Sequence, residues 1–313
     1  MILIFSSNSD HSTNKVIEWI DKFDYKVVRI NEDSELIIEY HDITSDEIIF
    51  TLNKKRFSSK EFSGYWYRRG GIKINSIELS DKFLKNKINK LFKIDQHTLH
   101  NYFFYFLEKK IHNKVGSFFY SDPNKLFQLS TAYSVGIKIP NTIVTSNIKY
   151  LDKNKRYITK SFNTVFEKLK NDDLLINYTN EINVKYNYFF TSLIQESIQK
   201  KYELRVFYLN EKCYSMAIFS QTNLQTSVDF RRYDKIKPNR NIPIEIPIYL
   251  KKKIIKFMNK MKLNCGSLDF IYDNNSKYVF LEVNPIGQFG MVSYPCNYNL
   301  EKKIAMVLCY GKC

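Results

Sequence analysis

The residues with the clearest chemical potential lie close to the carboxyl end of the chain. Asp269 belongs to an apolar run over residues 266–272, and Glu282 and Asn284 belong to a second run over residues 277–284. The short polar segment between the two runs predicts a β-hairpin. Two carboxylates and an amide are hard oxygen donors, which suit Mg²⁺ and leave some of its coordination positions for phosphate oxygens. The spacing therefore predicts a magnesium site that holds a nucleotide phosphate.

The exact register of this hairpin depends on its turn. If the turn centres between residues 274 and 275, Asp269 faces Phe280 and lies diagonal to Glu282. If it centres one residue later, Asp269 faces Glu282 directly. Both registers place the two carboxylates on one face, because side chains alternate along a strand, while Leu281 points into the core. The alternative is a solvent-facing hairpin with ordinary polar residues.

The elements that must position these residues alternate between strand and helix patterns, which indicates an α/β protein. Residues 78–114 have the apolar stripe of a long, lysine-rich helix. Lys125 falls at the start of a later helix, where it could approach a phosphate, but a solvated helical lysine is the preferred interpretation. Predicted strands cover residues 2–5, 25–30, 47–52, 65–69, 157–160, 191–197 and 204–220, and predicted helices cover residues 16–23, 124–136 and 248–261.

The composition sets the class of protein. The 313 residues are 44% hydrophobic and carry a formal net charge of +16, which indicates a folded protein of about two domains or one large multi-lobed one. Dinucleotide, P-loop and nucleophile-elbow motifs do not occur. The five cysteines form no CxxC pair, so no disulfide framework or zinc ribbon is expected. Without a signal leader or an apolar run of ~18 residues, a cytoplasmic protein is predicted.

The basic charge is unevenly distributed along the chain. Residues 1–64 carry 8 basic and 12 acidic side chains, whereas the remainder carries 40 against 20, a net of +20. Such a field attracts nucleotides, nucleic acid, anionic lipid or acidic peptides, and composition does not choose among them. A general lysine bias of the sequence is the alternative explanation.

The order of these motifs resembles that of the ATP-grasp ligases. Asp269, the segment Glu282-Val283-Asn284-Pro285 and the following Gly287-Gln288 are similar to the metal-binding end of that superfamily. The resemblance implies ATP and Mg²⁺ as cofactors and a metal site formed by the same oxygen trio. It further implies ATP contacts by Lys160 (phosphate), Glu196, Ser197 and Ile198 (adenine hinge), Glu203 (ribose), Arg205 and Arg231 (phosphates, with catalytic roles).

The implied architecture is an ATP-grasp fold in three parts. Residues 1–115 would form an N-terminal pre-ATP-grasp α/β lobe with a helical connector, residues 116–200 a central subdomain, and residues 201–313 the C-terminal subdomain with the magnesium site. One departure from the superfamily pattern concerns the covering of the phosphates. Residues 161–164 follow Lys160 without the expected glycine-rich loop.

Within the superfamily, the chain looks most like the graspetide peptide maturases, which include the microviridin-type and grasp-with-spasm groups. Trp66-Tyr67-Arg68-Arg69 carries this narrower resemblance, together with the Glu203 to Val206 and Asp229 to Arg231 segments. It implies phosphorylation of Asp or Glu side chains in a ribosomal precursor peptide, followed by ester or amide ring closure. The resemblance also implies that the precursor peptide consists of a leader and an acidic core and that Arg68 or Arg69 contacts it. It implies a homodimer as well. No membrane or nucleic-acid partner is expected.

Several residues keep a structural alternative. Arg205 could be an exposed cross-strand partner, Arg231 could belong to a solvated pair with Arg232, and Arg68 and Arg69 could form a structural ion pair. The activity has two rivals. One is an ATP-grasp ligase that adds an amino acid to a protein tail or to a small metabolite, and the other is a basic nucleic-acid-binding module without enzyme activity.

Overall fold

The computed structural model describes residues 1–162, 166–168, 174–176, 180–182, 187–221 and 238–312. The chain divides into two compact units, the first formed by Met1–Ser121 with Asn299–Cys313 and the second by Asp122–Tyr298. The three-part division at residues 115 and 200 stays a prediction.

The first unit is an α/β unit. Its elements up to residue 121 are β1 (Ile2–Phe5), α1 (His11–Lys22), β2 (Val27–Ile30), β3 (Leu36–His41), β4 (Ile48–Leu52), β5 (Lys55–Ser58), β6 (Gly64–Tyr67), α2 (Lys82–Lys110) and β7 (Asn113–Val115). A parallel sheet has the strand order β2-β1-β6-β7, and β3, β4 and β5 form a separate antiparallel sheet.

The buried strand β1 explains the apolar beginning of the sequence. All four of its residues are fully buried, as expected for a parallel strand that is covered on both faces. Asp10 is the N-cap of helix α1, and its side chain accepts a hydrogen bond from the Thr13 N–H at 3.1 Å. The helix buries Val16 and Ile20. Arg68 and Arg69 follow β6 directly, at the carboxyl end of the sheet.

The second unit contains two larger antiparallel sheets. Its elements are α3 (Lys125–Ser134), β8 (Thr142–Asn147), β9 (Tyr157–Lys160), β10 (Phe166–Lys168), β11 (Leu174–Ile176), β12 (Asn180–Glu181), β13 (Tyr188–Glu196), β14 (Lys200–Leu209), β15 (Lys212–Phe219), β16 (Arg240–Pro243), α4 (Ile248–Lys260), β17 (Cys265–Asp273), β18 (Tyr278–Asn284) and α5 (Gly290–Ser293). The sheet orders are β12-β9-β13-β8 and β16-β15-β14-β17-β18, and β10 pairs with β11. The last helix, α6 (Leu300–Tyr310), belongs to the first unit.

One face of the five-stranded sheet packs on α3 and α4. Leu204, Val206, Leu268 and Phe280 from this face join one buried cluster with residues of both helices, such as Phe257. Because side chains alternate along each strand, the residues between them must lie on the opposite face. That opposite face carries the polar residues selected from the sequence.

The structure confirms the α/β fold class and most of the expected elements. Strands 2–5 and 157–160 have the predicted bounds, and the helices and hairpin predicted near residues 124, 248 and 266 are present. Strands β3 and β5 and helix α6 were not expected. No helix in the described part of the chain is long and apolar enough to cross a bilayer.

Candidate functional site

A row of charged side chains crosses three neighbouring strands of the five-stranded sheet. Arg205 on β14 pairs with Asp269 on β17, and Asp269 pairs with Glu282 on β18. Directly paired residues share a face, so all three project on the side away from the helices. Glu203, two residues before Arg205, lies on the same face. The predicted convergence of Asp269 and Glu282 is therefore confirmed.

A β-bulge sets the register of this hairpin. Phe270 pairs with Phe280, but the next residue, Asp269, pairs with Glu282, so Leu281 is the extra residue. The directly opposed arrangement of the two carboxylates is thus reached through a bulge. The expectation that Leu281 enters the core is wrong, since it is only half-buried and is not part of the core cluster.

The Arg205–Asp269 pair is short and well shielded. The Arg205 Nη1 donates to both Asp269 oxygens, at 2.9 Å and 3.0 Å, and the two side chains are only 9% and 14% exposed. The interpretation of Arg205 as an exposed cross-strand partner is wrong. Its Nε is buried and has no hydrogen-bond acceptor among the described residues, which leaves a donor suited to an additional anionic oxygen.

Glu203 is a buried carboxylate next to this pair. It forms an ion pair with Lys200 and accepts a hydrogen bond from the Ser220 hydroxyl at 3.2 Å. Burial raises the pKa of the Glu203 carboxyl, against the lowering effect of Lys200, and the nearby Asp269 raises it further. When the carboxylate is ionised, both of its oxygens can accept a hydrogen bond from a ligand hydroxyl. When it is protonated, the carboxyl group must turn its unprotonated oxygen toward the ligand.

For Lys125, sequence reasoning preferred a solvated helical lysine to one that approaches phosphate. Its Nζ lies 3.6 Å from a Glu282 oxygen and donates to the Ser161 carbonyl at 3.2 Å. Helix α3 is fixed on β18 by Gln128, whose side-chain oxygen accepts the Val283 N–H at 2.8 Å. The interpretation of Lys125 as a solvated lysine is therefore wrong. Its position just after the helix cap at Asn124 was the available signal.

Asn284, the third residue of the predicted oxygen trio, is exposed at the end of β18. Its carbonyl accepts the Gly287 N–H at 3.1 Å, and a Cβ at residue 287 would lie 3.0 Å from that carbonyl and from the Ser267 side chain. A side chain at residue 287 would therefore force the Asn284 carbonyl or Ser267 to shift by a few tenths of an ångström. Two carboxylates on paired strands and one amide form a donor set that fits Mg²⁺. Among the described residues, His, Cys, Asp and Glu form no cluster of three that could hold a metal alone.

The predicted adenine hinge lies between β13 and β14. The Glu196 and Ser197 N–H groups already donate to the Asn141 and Arg156 carbonyls, at 3.0 Å and 2.8 Å. The Glu196 carboxylate pairs with Lys155 at 2.9 Å. Within the described part of the chain, the Ile198 N–H has no backbone acceptor, so it is the hinge donor that a ligand could use.

A cleft of about 830 Å³ lies beside this hinge. Glu196, Ser197 and Ile198 line it, together with residues of the 133–142 segment and of the β17–β18 turn. Its described lining does not include Lys160 or Arg205. The cleft therefore concerns the hinge and not the phosphate end of the predicted site.

The remaining predicted ATP ligands differ in what the structure says about them. Lys160 ends β9, where its backbone pairs with Leu193, and its side chain is half-buried. Arg231, with its neighbours Asp229 and Arg232, lies outside the described residues.

Arg68 and Arg69 share one carboxylate in the first unit. Their Nε atoms lie 3.1 Å and 2.8 Å from the Oδ2 atom of Asp10, and the other carboxylate oxygen, Oδ1, caps α1. The Arg68 side chain is 3% exposed and the Arg69 side chain 30%. Arg68 therefore has the surroundings of a structural ion pair, whereas part of the Arg69 guanidinium side chain remains accessible to solvent.

Comparisons with known proteins identify the fold. No protein-family model and no curated protein matches the chain. Solved structures match it over almost its full length. The macrocyclase MdnC of Microcystis aeruginosa, bound to the precursor peptide MdnA, is 23% identical, with a TM-score of 0.78 and coverage of 99% of this chain and 100% of MdnC.

Two further solved structures agree. A RiPP-associated ATP-grasp ligase of Chryseobacterium gregarium, in complex with ADP and a leader and core peptide, is 24% identical, with a TM-score of 0.79 and coverage of 100% and 97% of the two chains. The ATP-grasp ligase PsnB, complexed with Mg, ADP and a phosphomimetic precursor variant, is 14% identical, with a TM-score of 0.70 and coverage of 98% and 97%. These matches extend over both units of the chain.

Proposed function

Because the chain has the fold of the ATP-grasp ligases, we propose that it is an ATP-dependent macrocyclase of a ribosomal precursor peptide. It phosphorylates Asp or Glu side chains of the peptide and joins them to Ser or Thr hydroxyls or Lys amines of the same peptide. The observation that carries the proposal is the shielded row of Arg205, Asp269 and Glu282. It supports the chemistry, and the peptide- and nucleotide-bound structures of the same fold support the substrate.

The reaction needs positive charge at the transferring phosphoryl group. A peptide carboxylate oxygen attacks the γ-phosphorus and ADP leaves. A hydroxyl or amine then attacks the acyl carbon and inorganic phosphate leaves, so that the peptide loses one water per ring. Asp269, Glu282 and Asn284 would hold Mg²⁺, which neutralises phosphate charge when bound. Arg205 adds a preorganised guanidinium on the same face, and Lys160 and Arg231 are proposed as further phosphate ligands.

Four residues are proposed to place the nucleoside. The Ile198 N–H is the available hinge donor for adenine, and Glu196 and Ser197 fix the hinge through their own backbone bonds. The Glu203 carboxylate is held by Lys200 and Ser220, so it can accept a ribose hydroxyl without reorienting. Fixed acceptors of this kind lower the entropy cost of binding.

An acidic peptide is the proposed partner. The part of the chain after residue 64 carries a net charge of +20, which accelerates encounter with an Asp- and Glu-rich core segment at low salt. The accessible edge of Arg69 is proposed to bind a core carboxylate, with Arg68 and Asp10 fixing its position. We further propose that the leader segment of the peptide docks at a separate surface and that the chain forms a homodimer. Its proposed location is the cytoplasm.

The decisive experiment measures peptide mass after incubation with ATP, Mg²⁺ and an acidic precursor peptide encoded beside the gene. Loss of one water per ring, with one ADP formed per ring, is the expected result. A mass increase by one amino acid would instead indicate the rival ligase. Salt-sensitive binding of single-stranded nucleic acid without ATP turnover would indicate the non-enzymatic rival.

A pair of variants tests the site within the same assay. Asp269→Asn with Glu282→Gln should give a folded protein that consumes no ATP, because the oxygen trio loses both charges. Glu245→Gln removes a carboxylate whose side chain is 91% exposed and should retain full turnover. Equal turnover by the two proteins would refute the metal assignment.

A further inference from the structure

The outer side of β18 is held by two acceptors that come from a distant part of the chain. β18 is the outermost strand of the five-stranded sheet. The Phe280 N–H donates to the Lys138 carbonyl at 2.8 Å. Three residues later, the Val283 N–H donates to the side-chain oxygen of Gln128, also at 2.8 Å. A strand at the edge of a sheet thus has its outward N–H groups satisfied at both positions.

The spacing of these two N–H groups reflects the bulge at Leu281. In a regular antiparallel strand, every second N–H group points outward, so the group after Phe280 would be that of Glu282. The extra residue of the bulge shifts the next outward N–H to Val283. The hydrogen bond to Gln128 therefore forms in the bulged register and is lost in the regular one.

This register decides on which face Glu282 lies. Continued from the preceding pair without a bulge, the ladder would bring Glu282 opposite Leu268. Leu268 belongs to the buried cluster under α3 and α4, so the carboxylate would enter the core. In the bulged register, Val283 lies opposite Leu268 and joins that cluster, and Glu282 lies opposite Asp269. The two carboxylates share a face as a consequence.

The Gln128 side chain has the surroundings of a fixed acceptor. It is only 3% exposed, and its amide nitrogen donates to the Pro123 carbonyl at 2.8 Å. Turning the amide by 180° would place its NH₂ group against the Val283 N–H and its oxygen against the Pro123 carbonyl. Both contacts would be repulsive, so one orientation of the amide is strongly favoured. In this orientation, its oxygen is directed at the backbone of β18.

We propose that Gln128 is a positioning residue of the magnesium site. Its bond to Val283 fixes the bulged register and with it the two predicted ligands on either side, Glu282 and Asn284. Gln128 acts through the backbone of β18 and is not itself a metal ligand. The inference rests on the magnesium site of the proposed function. Residues that orient metal ligands from outside the coordination shell contribute about 10–100-fold to metal affinity.

The test is calorimetric titration of the full chain with ADP, which measures the metal site without turnover. The Kd of ADP is measured with MgCl₂ and again with EDTA, and the ratio of the two constants gives the contribution of Mg²⁺ to binding. Gln128→Met keeps the length of the side chain and removes both hydrogen bonds. It should reduce this ratio by about tenfold or more. The Kd in EDTA should change by less than about twofold, because the proposed adenine and ribose contacts are retained.

Ser215→Ala is the matched control. The Ser215 side chain is also 3% exposed, and its hydroxyl donates to the Ile244 carbonyl at 2.7 Å. The variant therefore removes a buried hydrogen bond from the same sheet, on β15 and away from the oxygen trio. Its ratio should stay within about twofold of the original, even though urea unfolding should show a loss of stability for both variants.

Gln128→Glu is a second variant that keeps an oxygen for the Val283 N–H. Its ratio should stay within about threefold of the original, a result that supports the proposal even if Gln128→Met does not fold. The proposal is overturned by an unchanged ratio in Gln128→Met, by an equal reduction in Ser215→Ala, or by a reduction in Gln128→Glu as large as in Gln128→Met. Binding of ADP to the original protein that is indifferent to Mg²⁺ would overturn the magnesium site as well. Mg²⁺-dependent binding that Gln128→Met leaves unchanged would overturn the positioning role alone.

Discussion

Replacing Arg205 by methionine tests whether the guanidinium stabilises the carboxylate row before any ligand arrives. Methionine keeps much of the aliphatic stem and removes the charge. Asp269 would then lose two hydrogen bonds, at 2.9 Å and 3.0 Å, while Glu282 remains directly opposite it. Breaking a buried pair costs about 3–5 kcal/mol, and the 14% exposure of Asp269 favours the lower end, about 3 kcal/mol.

The assay is thermal and urea unfolding of the purified protein without nucleotide. A loss of about 3 kcal/mol should lower the Tm of the second unit by about 6–12 °C. Arg240→Met is the matched control, because Arg240 is an exposed arginine on β16 of the same sheet. Its loss should cost less than about 0.5 kcal/mol. Equal shifts for the two variants would show that the Arg205–Asp269 pair contributes no net stability.

Magnesium supplies a second readout on the same variant. With Arg205 removed, Asp269 lacks its shielding cation, so a divalent ion should bind more tightly between Asp269 and Glu282 and raise the Tm. We expect millimolar MgCl₂ to raise the Tm of the Arg205→Met variant by more than it raises the Tm of the original protein. A variant indifferent to MgCl₂ would refute the placement of a metal between these carboxylates.

Three further substitutions test neighbouring contacts. Burial raises the pKa of the Glu203 carboxyl above its ordinary value of 4.5, so the folded state binds a proton more tightly than the unfolded state and stability falls as pH rises above that value. Glu203→Gln should flatten this fall in urea titrations repeated at increasing pH from 4.5 upward. Gly287→Ala would crowd Asn284 and should raise the Mg²⁺ concentration for half-maximal ATP turnover several-fold, whereas Gly71→Ala, with open space around its Cβ position, should not. Lys125→Met removes a cation 3.6 Å from Glu282 and should tighten Mg²⁺ binding in isothermal titration; unchanged affinity would contradict that contact.

The alternation of side chains along strands was sufficient to predict that Asp269 and Glu282 share a face. The bulge at Leu281 was beyond that reasoning, because it depends on how β18 fits against β17 and on no local residue preference. For Lys125, the preferred of the two interpretations was wrong for a related reason. Its surroundings follow from the packing of α3 on β18 through Gln128, a contact between residues 155 positions apart.

Other features show the same division between local and long-range information. The long helix near residue 82 was expected from its apolar stripe, but periodicity alone does not separate its buried end from its exposed beginning. Helix α6 was not anticipated, and it joins the first unit only through contacts with distant elements. Arg231 remains a prediction from motif resemblance, since it lies outside the described residues.

The guanidinium clasped to Asp269 also bears on the order in which ligands load. In the empty protein, the carboxylate already shares its charge, and it therefore competes poorly for a solitary divalent ion. A cation bound to a triphosphate brings its own counter-charge, and we expect the triphosphate to offer Arg205 a new acceptor in place of Asp269. The protein without ligand is therefore expected to bind free Mg²⁺ weakly and to bind the ion as its complex with the nucleotide.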